Sequence, residues 1–247
     1  MCIRDSPYYG LRDYGGEDKQ IGQEESPEEY IQNLVEVFRS VRDVLTDDGT
    51  LWVNIGDSYY NYRPGKGQAL PKQSVSKTKQ DLPDKCAKRG NKLQGLKEKD
   101  LIGIPWMLAF ALRADGWYLR QDIIWHKPNP MPESVKDRCT KSHEYLFLLS
   151  KNKRYHYDNE AIKEPVKQDW GTRDRTNGKY HNPGSGLVPH SGLSKSYDRK
   201  NKRSVWSITN KPYKGAHFAV FPPDLIEPCI LALSLIHISE PTRQRVI

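Results

Sequence analysis

The fold is decided by the stretch Gly49-Thr50-Leu51-Trp52-Val53-Asn54-Ile55-Gly56-Asp57-Ser58-Tyr59. Residues 50–55 are almost all apolar or β-branched, which predicts a buried strand that ends at a polar turn. Upstream, Ser26-Pro27-Glu28-Glu29 is a capping box with proline at the first helical position, and apolar side chains then recur at helical spacing to Leu45. A helix that leads into a buried strand is half of a doubly wound α/β unit.

The rest of the chain continues this alternation. Pro105 and Gly116 fit the start and the end of a second amphipathic helix, and a proline-rich stretch can be neither helix nor strand. The predicted elements are a helix at 101–114, a strand at 117–125, a stiff loop at 127–132, a strand at 144–149, a short strand at 204–208 and the start of a helix at 222–231.

Charge is distributed very unevenly along the 247 residues, whose formal net charge is +8. Residues 7–60 carry a net charge of −8, whereas residues 61–100 carry +7 and residues 151–211 carry +8. Aromatic and glycine residues are mixed into both basic segments, and these residue types stack on bases and allow close backbone approach to phosphates. The two segments therefore favour a nucleic-acid partner over simply solvated lysine-rich loops.

Residues 1–6 and 233–247 are predicted to be translated sequencing adapter. One short DNA element, read on opposite strands, encodes both Met1-Cys2-Ile3-Arg4-Asp5-Ser6 and Leu233-Ser234-Leu235-Ile236-His237-Ile238. A genuine apolar helix at 230–238 is the alternative. On the adapter interpretation, residues 7–232 are a gene fragment, and both ends are expected to pack poorly.

Several classes of protein are disfavoured. Cys86, Cys139 and Cys229 are widely spaced, which argues against a zinc site and against a disulfide framework. We therefore expect no metal, and a reducing, cytoplasmic location. No run reaches the roughly 18 apolar residues of a membrane span, so no membrane partner is expected.

The stretch Pro7-Tyr8-Tyr9-Gly10-Leu11-Arg12-Asp13-Tyr14-Gly15 has a specific chemical interpretation. An enzyme that methylates an exocyclic amino group must hold a flipped base against its methyl donor. It needs an acceptor for the amino hydrogens, a rigid turn that presents a carbonyl and an aromatic ring that stacks on the base. A Ser/Asp-Pro-Pro-Tyr motif supplies all three, and the proline carbonyl is expected to be free to accept.

At this point the chain resembles the N4-cytosine/N6-adenine DNA amino-methyltransferases, in the permuted order in which the catalytic motif comes first. The resemblance covers nearly all of residues 7–232, and the motifs occur in family order. Besides Pro7–Gly15, the matching stretches are Gly49–Tyr59, Gly116-Trp117, Trp125-His126-Lys127-Pro128-Asn129-Pro130-Met131-Pro132, His143-Glu144-Tyr145-Leu146-Phe147-Leu148-Leu149 and His217-Phe218-Ala219-Val220-Phe221-Pro222.

The resemblance implies a Rossmann-like α/β methyltransferase sheet, incomplete and with basic loop insertions, and S-adenosylmethionine as cofactor. It implies methyl transfer to duplex DNA, with N4 of cytosine favoured over N6 of adenine, and a cognate restriction endonuclease as a candidate partner. The expected divisions are 7–60 for the catalytic-motif half, 61–100 for a basic insertion, 101–150 for the continued core, 151–204 for target recognition and 205–232 for the start of the donor-binding region.

Two departures from the family pattern bear on activity. Pro7 aligns with the second proline, so Ser6 stands where the first proline belongs, and the true acceptor is expected to be lost. The glycine-rich donor loop would follow Ala232. We therefore expect the 247-residue chain to be inactive as written. A non-catalytic DNA-binding protein is the alternative from another class, and methylation of RNA or a small molecule is an alternative activity.

The candidate site residues fall into four groups. Asp57 lines the cleft or caps a helix or turn, His126 and Lys127 line the base pocket or cap a strand, and Asp224 touches the donor or caps its helix. Trp125 is interpreted as core, and His143 and Glu144 point to opposite faces of a strand. The full set is Pro7 and Tyr8 for catalysis, Asp57, His126 and Lys127 for the base pocket, Phe218, Phe221 and Asp224 for the cofactor, and Lys66, Lys72, Arg173, Arg175, Lys200 and Arg203 for DNA.

Overall fold

The structure is a computed structural model that describes residues 7–10, 20–60, 95–166, 198–211 and 221–233, together with the backbone of residues 2–5. Three helices and seven strands lie in these ranges. In chain order they are β1 (Cys2–Asp5), α1 (Pro27–Val44), β2 (Thr50–Ile55), α2 (Ile104–Ala114), β3 (Tyr118–His126), β4 (His143–Ser150), β5 (Glu164–Pro165), β6 (Arg199–Lys200), β7 (Val205–Ser207) and α3 (Pro223–Leu233).

Helix α1 begins where the sequence predicts it. The Ser26 side chain accepts a hydrogen bond from the backbone N–H of Glu29, and Pro27 occupies the first turn, where no intrahelical donor is required. Glu28 and Glu29 complement the positive end of the helix dipole. The capping box thus fixes the start of the helix that precedes the central strand.

Five strands form one mixed sheet in the order β1-β2-β4-β3-β7. Strand β4 runs antiparallel to both β2 and β3, whereas β1 is parallel to β2 and β7 is parallel to β3. The prediction that the strands near 50–55, 117–125 and 144–149 share one sheet is confirmed. The short strand predicted at 204–208 is also confirmed as the edge strand β7.

One face of the sheet is covered by both α1 and α2. Alternate residues of β2 (Leu51, Val53 and Ile55) pack in one buried cluster with Tyr30 and Leu34 of α1 and with Leu108 and Leu112 of α2. Because α1 and α2 belong to the same cluster, they cover a single face of the sheet. Because apolar surface removed from water contributes roughly 25 cal/mol per Å², the burial of this cluster stabilises the packing of the helices on the sheet.

The opposite face of the sheet is lined by bulky side chains. Trp52 lies in β2 and Trp206 in β7, and their ring centroids are 6.4 Å apart. Trp125 of β3 is 3% exposed, which confirms its interpretation as a core residue. The sheet therefore has an apolar layer on each face.

The backbone of Cys2–Asp5 pairs with β2 from Cys2↔Leu51 to Asp5↔Asn54, and this makes β1 an edge strand. We had expected residues 1–6 to pack poorly. Strand pairing uses main-chain N–H and C=O groups, which every non-proline residue supplies, so a strand forms here whatever the origin of its sequence.

The chain divides into two compact units. The first contains residues 1–156 and 204–229, and the second contains residues 157–203 and 230–247. In the second unit, β5 and β6 form an antiparallel pair, and the Arg203 guanidinium contacts the Glu164 carboxylate at 3.2 Å. Among the described helices, none is long and apolar enough to cross a membrane.

Candidate active site

Tyr8 lies just beyond the end of β1, beside the turn that ends β2. A Cβ atom added at Gly56 would lie 2.7 Å from Cε2 and 3.2 Å from Cζ of Tyr8, so the tyrosine ring rests directly on this glycine. The Ser58 hydroxyl also donates to the Tyr9 carbonyl at 3.3 Å. Pro7-Tyr8 and the Gly56–Tyr59 turn are therefore neighbours at one end of the sheet.

The carbonyl of Pro7 is occupied by a protein donor, contrary to the expectation that it is free. The Tyr30 hydroxyl donates to it at 2.6 Å. Tyr30 is fully buried, so its hydroxyl needs an internal partner, and burial raises its pKa well above the usual value. A carbonyl oxygen has two lone pairs, so Pro7 keeps one acceptor site, but its main observed contact anchors the motif to α1.

Tyr9 completes this anchor. Its ring centroid lies 5.4 Å from that of Tyr30. Burial, assisted by the charges of Glu24, Glu28 and Glu29, raises the pKa of Tyr9 to about 12. Consecutive tyrosines therefore have different tasks: Tyr9 packs against α1, while Tyr8 reaches across the sheet.

Glu144 of β4 is the centre of a hydrogen-bond network on the Tyr8 side of the sheet. Its Oε2 accepts from the Tyr8 hydroxyl at 2.6 Å and from Asn54 Nδ2 at 3.3 Å. Its Oε1 accepts from the Lys127 ammonium group, which also forms an ion pair with it. The carboxylate is 14% exposed and the lysine side chain 17% exposed, so both charges are largely withdrawn from water.

Lys127 is held by more than its carboxylate partner. Its Nζ lies 4.2 Å from the centroid of the Trp125 ring, which is cation–π geometry. The Trp125 Nε1 group donates to the Ile208 carbonyl at 2.9 Å, so this ring is itself fixed. The structure thus brings Lys127 to the Tyr8 cluster.

His126 is not brought to this cluster. It pairs with His143 across the β3–β4 ladder, one residue out of phase with the Trp125–Glu144 pair, so it faces the other side of the sheet. Its Nδ1 lies 3.0 Å from the Ser207 hydroxyl. His143 contacts the Tyr145 ring edge-on at 5.4 Å, which fits the expectation that His143 and Glu144 point in opposite directions.

Asp57 caps a helix. Its Oδ1 accepts from the backbone N–H groups of Ser58 at 2.9 Å and of Gly103 and Ile104 at 3.0 Å. Helix α2 consequently begins at Ile104, three residues later than predicted. The Asp57 carbonyl accepts from Lys141 Nζ at 2.8 Å, and burial lowers the pKa of Lys141 despite the nearby Asp57 and Glu144. The capping alternative therefore accounts for the Asp57 carboxylate.

The described residues define the donor site only weakly. Phe221 is half-buried just before α3, and the Asp224 carboxylate in the first turn of α3 is paired with Lys211 at 2.7 Å and is 52% exposed. Phe218 lies outside the described residues. An exposed carboxylate that is already paired with a lysine does not by itself form a preorganised site for S-adenosylmethionine.

Two of the six DNA-contact candidates lie in the part of the chain that the structure describes. Lys200 is half-buried in β6, whereas the Arg203 side chain is 64% exposed and bonded to Glu164. The Glu164 carboxylate accepts from Nε of Arg203 at 3.2 Å. The other four, outside the described residues, are Lys66, Lys72, Arg173 and Arg175.

Sequence reasoning missed Glu144, Asn54 and Tyr30 as members of the site. A signal for Glu144 was present, because it is the one acidic residue of β4 and the five residues that follow it, 145–149, are aromatic or aliphatic. Charged residues are almost never buried without a partner, so a carboxylate in such a strand indicates a polar contact. Asn54 gave the same signal within β2, where it is 1% exposed.

Comparison with known proteins gives the class. A family model described as DNA methylase matches residues 1–236, which is nearly the whole chain. The chain therefore belongs to the N6/N4 DNA methylase family, and the family prediction is confirmed. Members of this family use S-adenosylmethionine as the methyl donor.

Individual relatives agree with this class. The chain is 48% identical to the type II methyltransferase M.Cfr9I of Citrobacter freundii, covering 94% of this chain and 65% of that protein. It is 48% identical to the type II methyltransferase M.SmaI of Serratia marcescens, covering 94% and 68%. The chain thus spans about two thirds of the length of these curated relatives.

A solved structure, the PvuII DNA methyltransferase (cytosine-N4-specific), has the same fold. It superposes with a TM-score of 0.54 at 15% sequence identity, covering 94% of this chain and 63% of that one. The predicted fold class, a Rossmann-like methyltransferase sheet, is confirmed.

Proposed function

We propose that this chain carries the base-holding half of a site-specific DNA methyltransferase, which transfers the methyl group of S-adenosylmethionine to an exocyclic amino group of a flipped base. The observation that supports this proposal most directly is the position of Tyr8. It follows the edge strand β1, rests on Gly56 and hydrogen-bonds to Glu144. A fixed aromatic ring at the end of a strand is what a flipped base needs as a stacking surface.

Each residue has a separate task in this proposal. Tyr8 stacks on the base, and Pro7 fixes the turn through its carbonyl contact with Tyr30. Lys127 belongs to the same cluster, and its ammonium group can contact a base only if it gives up its hydrogen bond to Glu144. The cofactor supplies the methyl group, and the residues of this chain orient the base for it.

N4 of cytosine is the proposed target atom, with N6 of adenine as the alternative. Its support is the stretch Tyr9-Gly10-Leu11-Arg12-Asp13-Tyr14-Gly15, since family sequences with this continuation usually carry serine in the motif, and serine accompanies cytosine. The two targets differ only in the base, so the same assay distinguishes them.

Duplex DNA is the proposed partner, and residues 151–204 are the proposed target-recognition region. Their support is the net charge of +8 over residues 151–211 and the exposed guanidinium of Arg203. Lys66, Lys72, Arg173, Arg175 and Lys200 are proposed to add phosphate contacts. A restriction endonuclease of the same specificity is proposed as a cognate partner, because the relatives are named as type II methyltransferases.

The test uses the enzyme extended to the length of its relatives. It is incubated with tritiated S-adenosylmethionine and unmethylated genomic DNA, and the labelled nucleoside is identified after digestion. We expect label on cytosine, and Tyr8→Ala should lower its incorporation at least about tenfold because the stacking surface is lost. Tyr118→Ala, which removes a 45% exposed tyrosine of β3, is the matched control.

The outcomes separate the alternatives. Label on adenine would contradict the cytosine assignment alone. DNA binding without any label in the extended enzyme would favour the non-catalytic DNA-binding alternative. Equal losses from Tyr8→Ala and Tyr118→Ala would show that Tyr8 has no special role.

A further inference from the structure

The Glu144 network joins four neighbouring strands. In the sheet order β1-β2-β4-β3, Tyr8 follows β1, Asn54 lies in β2, Glu144 lies in β4 and Lys127 follows β3. Strand β4 thus supplies the carboxylate, and the segments of the other three strands each contribute one side chain that donates to it. Such a convergence fixes the relative position of the four groups, because none can move without breaking a contact made by another strand.

Asn54 makes this arrangement a built site. It is 1% exposed, and its Nδ2 group donates both to Glu144 Oε2 at 3.3 Å and to the Tyr145 carbonyl at 3.2 Å. An Asn amide nitrogen has two hydrogens, so both donors are used. The buried amide of Asn54 in β2 therefore holds Oε2 of Glu144, while Lys127 holds Oε1.

The Tyr8 hydroxyl is the third donor to this carboxylate, and it is the one that matters for a stacked base. Its 2.6 Å bond to an ionised acceptor is charge-assisted and strongly directional. Gly56 limits the ring from another side. With its hydroxyl fixed by a carboxylate and its body resting on a glycine, the ring has one orientation.

A purely stabilising ion pair would explain the network less well. Burying a carboxylate and an ammonium group costs several kcal/mol per ion before their attraction is counted, and hydrophobic pairs often stabilise a protein as well or better. On β4, the next residues on the same face as Glu144 are Leu146 and Leu148, so a leucine would continue the pattern. At this position the strand carries a glutamate instead of a leucine, and the carboxylate of that glutamate contacts Tyr8.

We propose that Glu144 is a positioning residue for Tyr8, and that Asn54 and Lys127 hold its carboxylate in place. This role rests on the proposed function, since the ring is positioned for a base. Removing the carboxylate and removing the Tyr8 hydroxyl both take away the same orienting hydrogen bond, so the two changes act on one step.

The test is a double-mutant cycle in the extended enzyme, with single-turnover transfer of tritiated methyl as the readout. Tyr8→Phe, which keeps the ring, and Glu144→Ala should each lower the rate about 10- to 100-fold, because a displacement near 1 Å costs about that much. The double variant should be no slower than the slower single variant. Glu144→Gln should retain more activity than Glu144→Ala, since its amide oxygen still accepts from Tyr8.

Asp115→Asn is the matched control. Asp115 is 13% exposed, close to the 14% of Glu144, and forms an ion pair with Arg39 at 2.5 Å, but it lies at the end of α2. This variant should lower the melting temperature while leaving the single-turnover rate of the folded enzyme unchanged. Dissociation constants for DNA and cofactor should stay within about twofold in the Glu144 variants, since positioning changes the rate more than binding.

A double variant whose fold-loss in rate equals the product of the two single losses would overturn the positioning role alone. A Tyr8→Phe rate equal to that of the unsubstituted enzyme would do so too. A Glu144→Ala variant that is less stable but equally fast would do the same. If the unsubstituted enzyme transfers no label, the proposed function itself fails, and the positioning role fails with it.

Discussion

Replacing Gly56 with alanine should displace the Tyr8 ring and slow methyl transfer. The new Cβ would lie 2.7 Å from Cε2 of Tyr8, whereas carbon atoms attract best at roughly 3.5 to 4.0 Å. The ring must therefore retreat by about 0.8 Å, which strains its bond to Glu144. Because a misplacement near 1 Å can cost about 10²-fold in rate, we expect a single-turnover rate about 10- to 100-fold lower.

The assay for this prediction is single-turnover transfer of tritiated methyl by the extended enzyme, with the Tyr8→Ala background as the internal test. Once the ring is absent, Gly56→Ala has nothing to displace and should cause no further loss. Gly95→Ala is the control, since a Cβ there meets nothing within 4 Å although its φ of 83° strains alanine. A full-rate Gly56→Ala enzyme, or an equal loss in both backgrounds, would refute the steric reasoning.

Three further predictions concern stability and binding. Asp57→Ala should lower the free energy of unfolding in urea by about 1 to 2 kcal/mol, since three backbone N–H groups lose their shared acceptor, and Asp57→Asn should lower it less. Because the pKa of Tyr9 is raised to about 12, its neutral form stabilises the fold fully below pH 10, and this contribution should vanish as the pH rises towards 12. Absorbance at 295 nm should show that Tyr9 ionises late, and ionisation at the ordinary tyrosine pKa of about 10 would contradict the prediction. Binding of the 247-residue chain to duplex DNA should weaken steeply between 50 and roughly 200 mM salt, and an affinity that stays flat would argue against phosphate-led binding.

The elements that could be predicted are those with strong local signals. The capping box at Ser26–Glu29 located the start of α1, and the apolar run at 50–55 gave β2 with its observed bounds. The start of α2 was placed three residues too early, because its cap is the distant carboxylate of Asp57. Because the capping Asp57 lies 46 residues before Gly103, the sequence around 101–104 does not indicate where the helix begins.

The site was predicted in part for a similar reason. Tyr8 and Lys127 belong to motifs of the family, and in the structure both donate to the Glu144 carboxylate. Their connection runs through Glu144, which belongs to a third segment and is recognisable only once the strand order is known. His126 illustrates the converse, since adjacency to Lys127 in sequence places it on the opposite face of the strand.

The position of β1 at the edge of the sheet has a dynamic consequence. Within the described sheet this strand pairs with β2 alone, along the four residues from Cys2 to Asp5. Edge segments can open locally at a free energy far below that of global unfolding, and their amides then exchange with solvent early. The residues on both sides of Tyr8 are held independently of this strand, since Tyr30 donates to the Pro7 carbonyl and Ser58 to the Tyr9 carbonyl. The stacking surface should therefore outlast the fraying of the edge strand that precedes it.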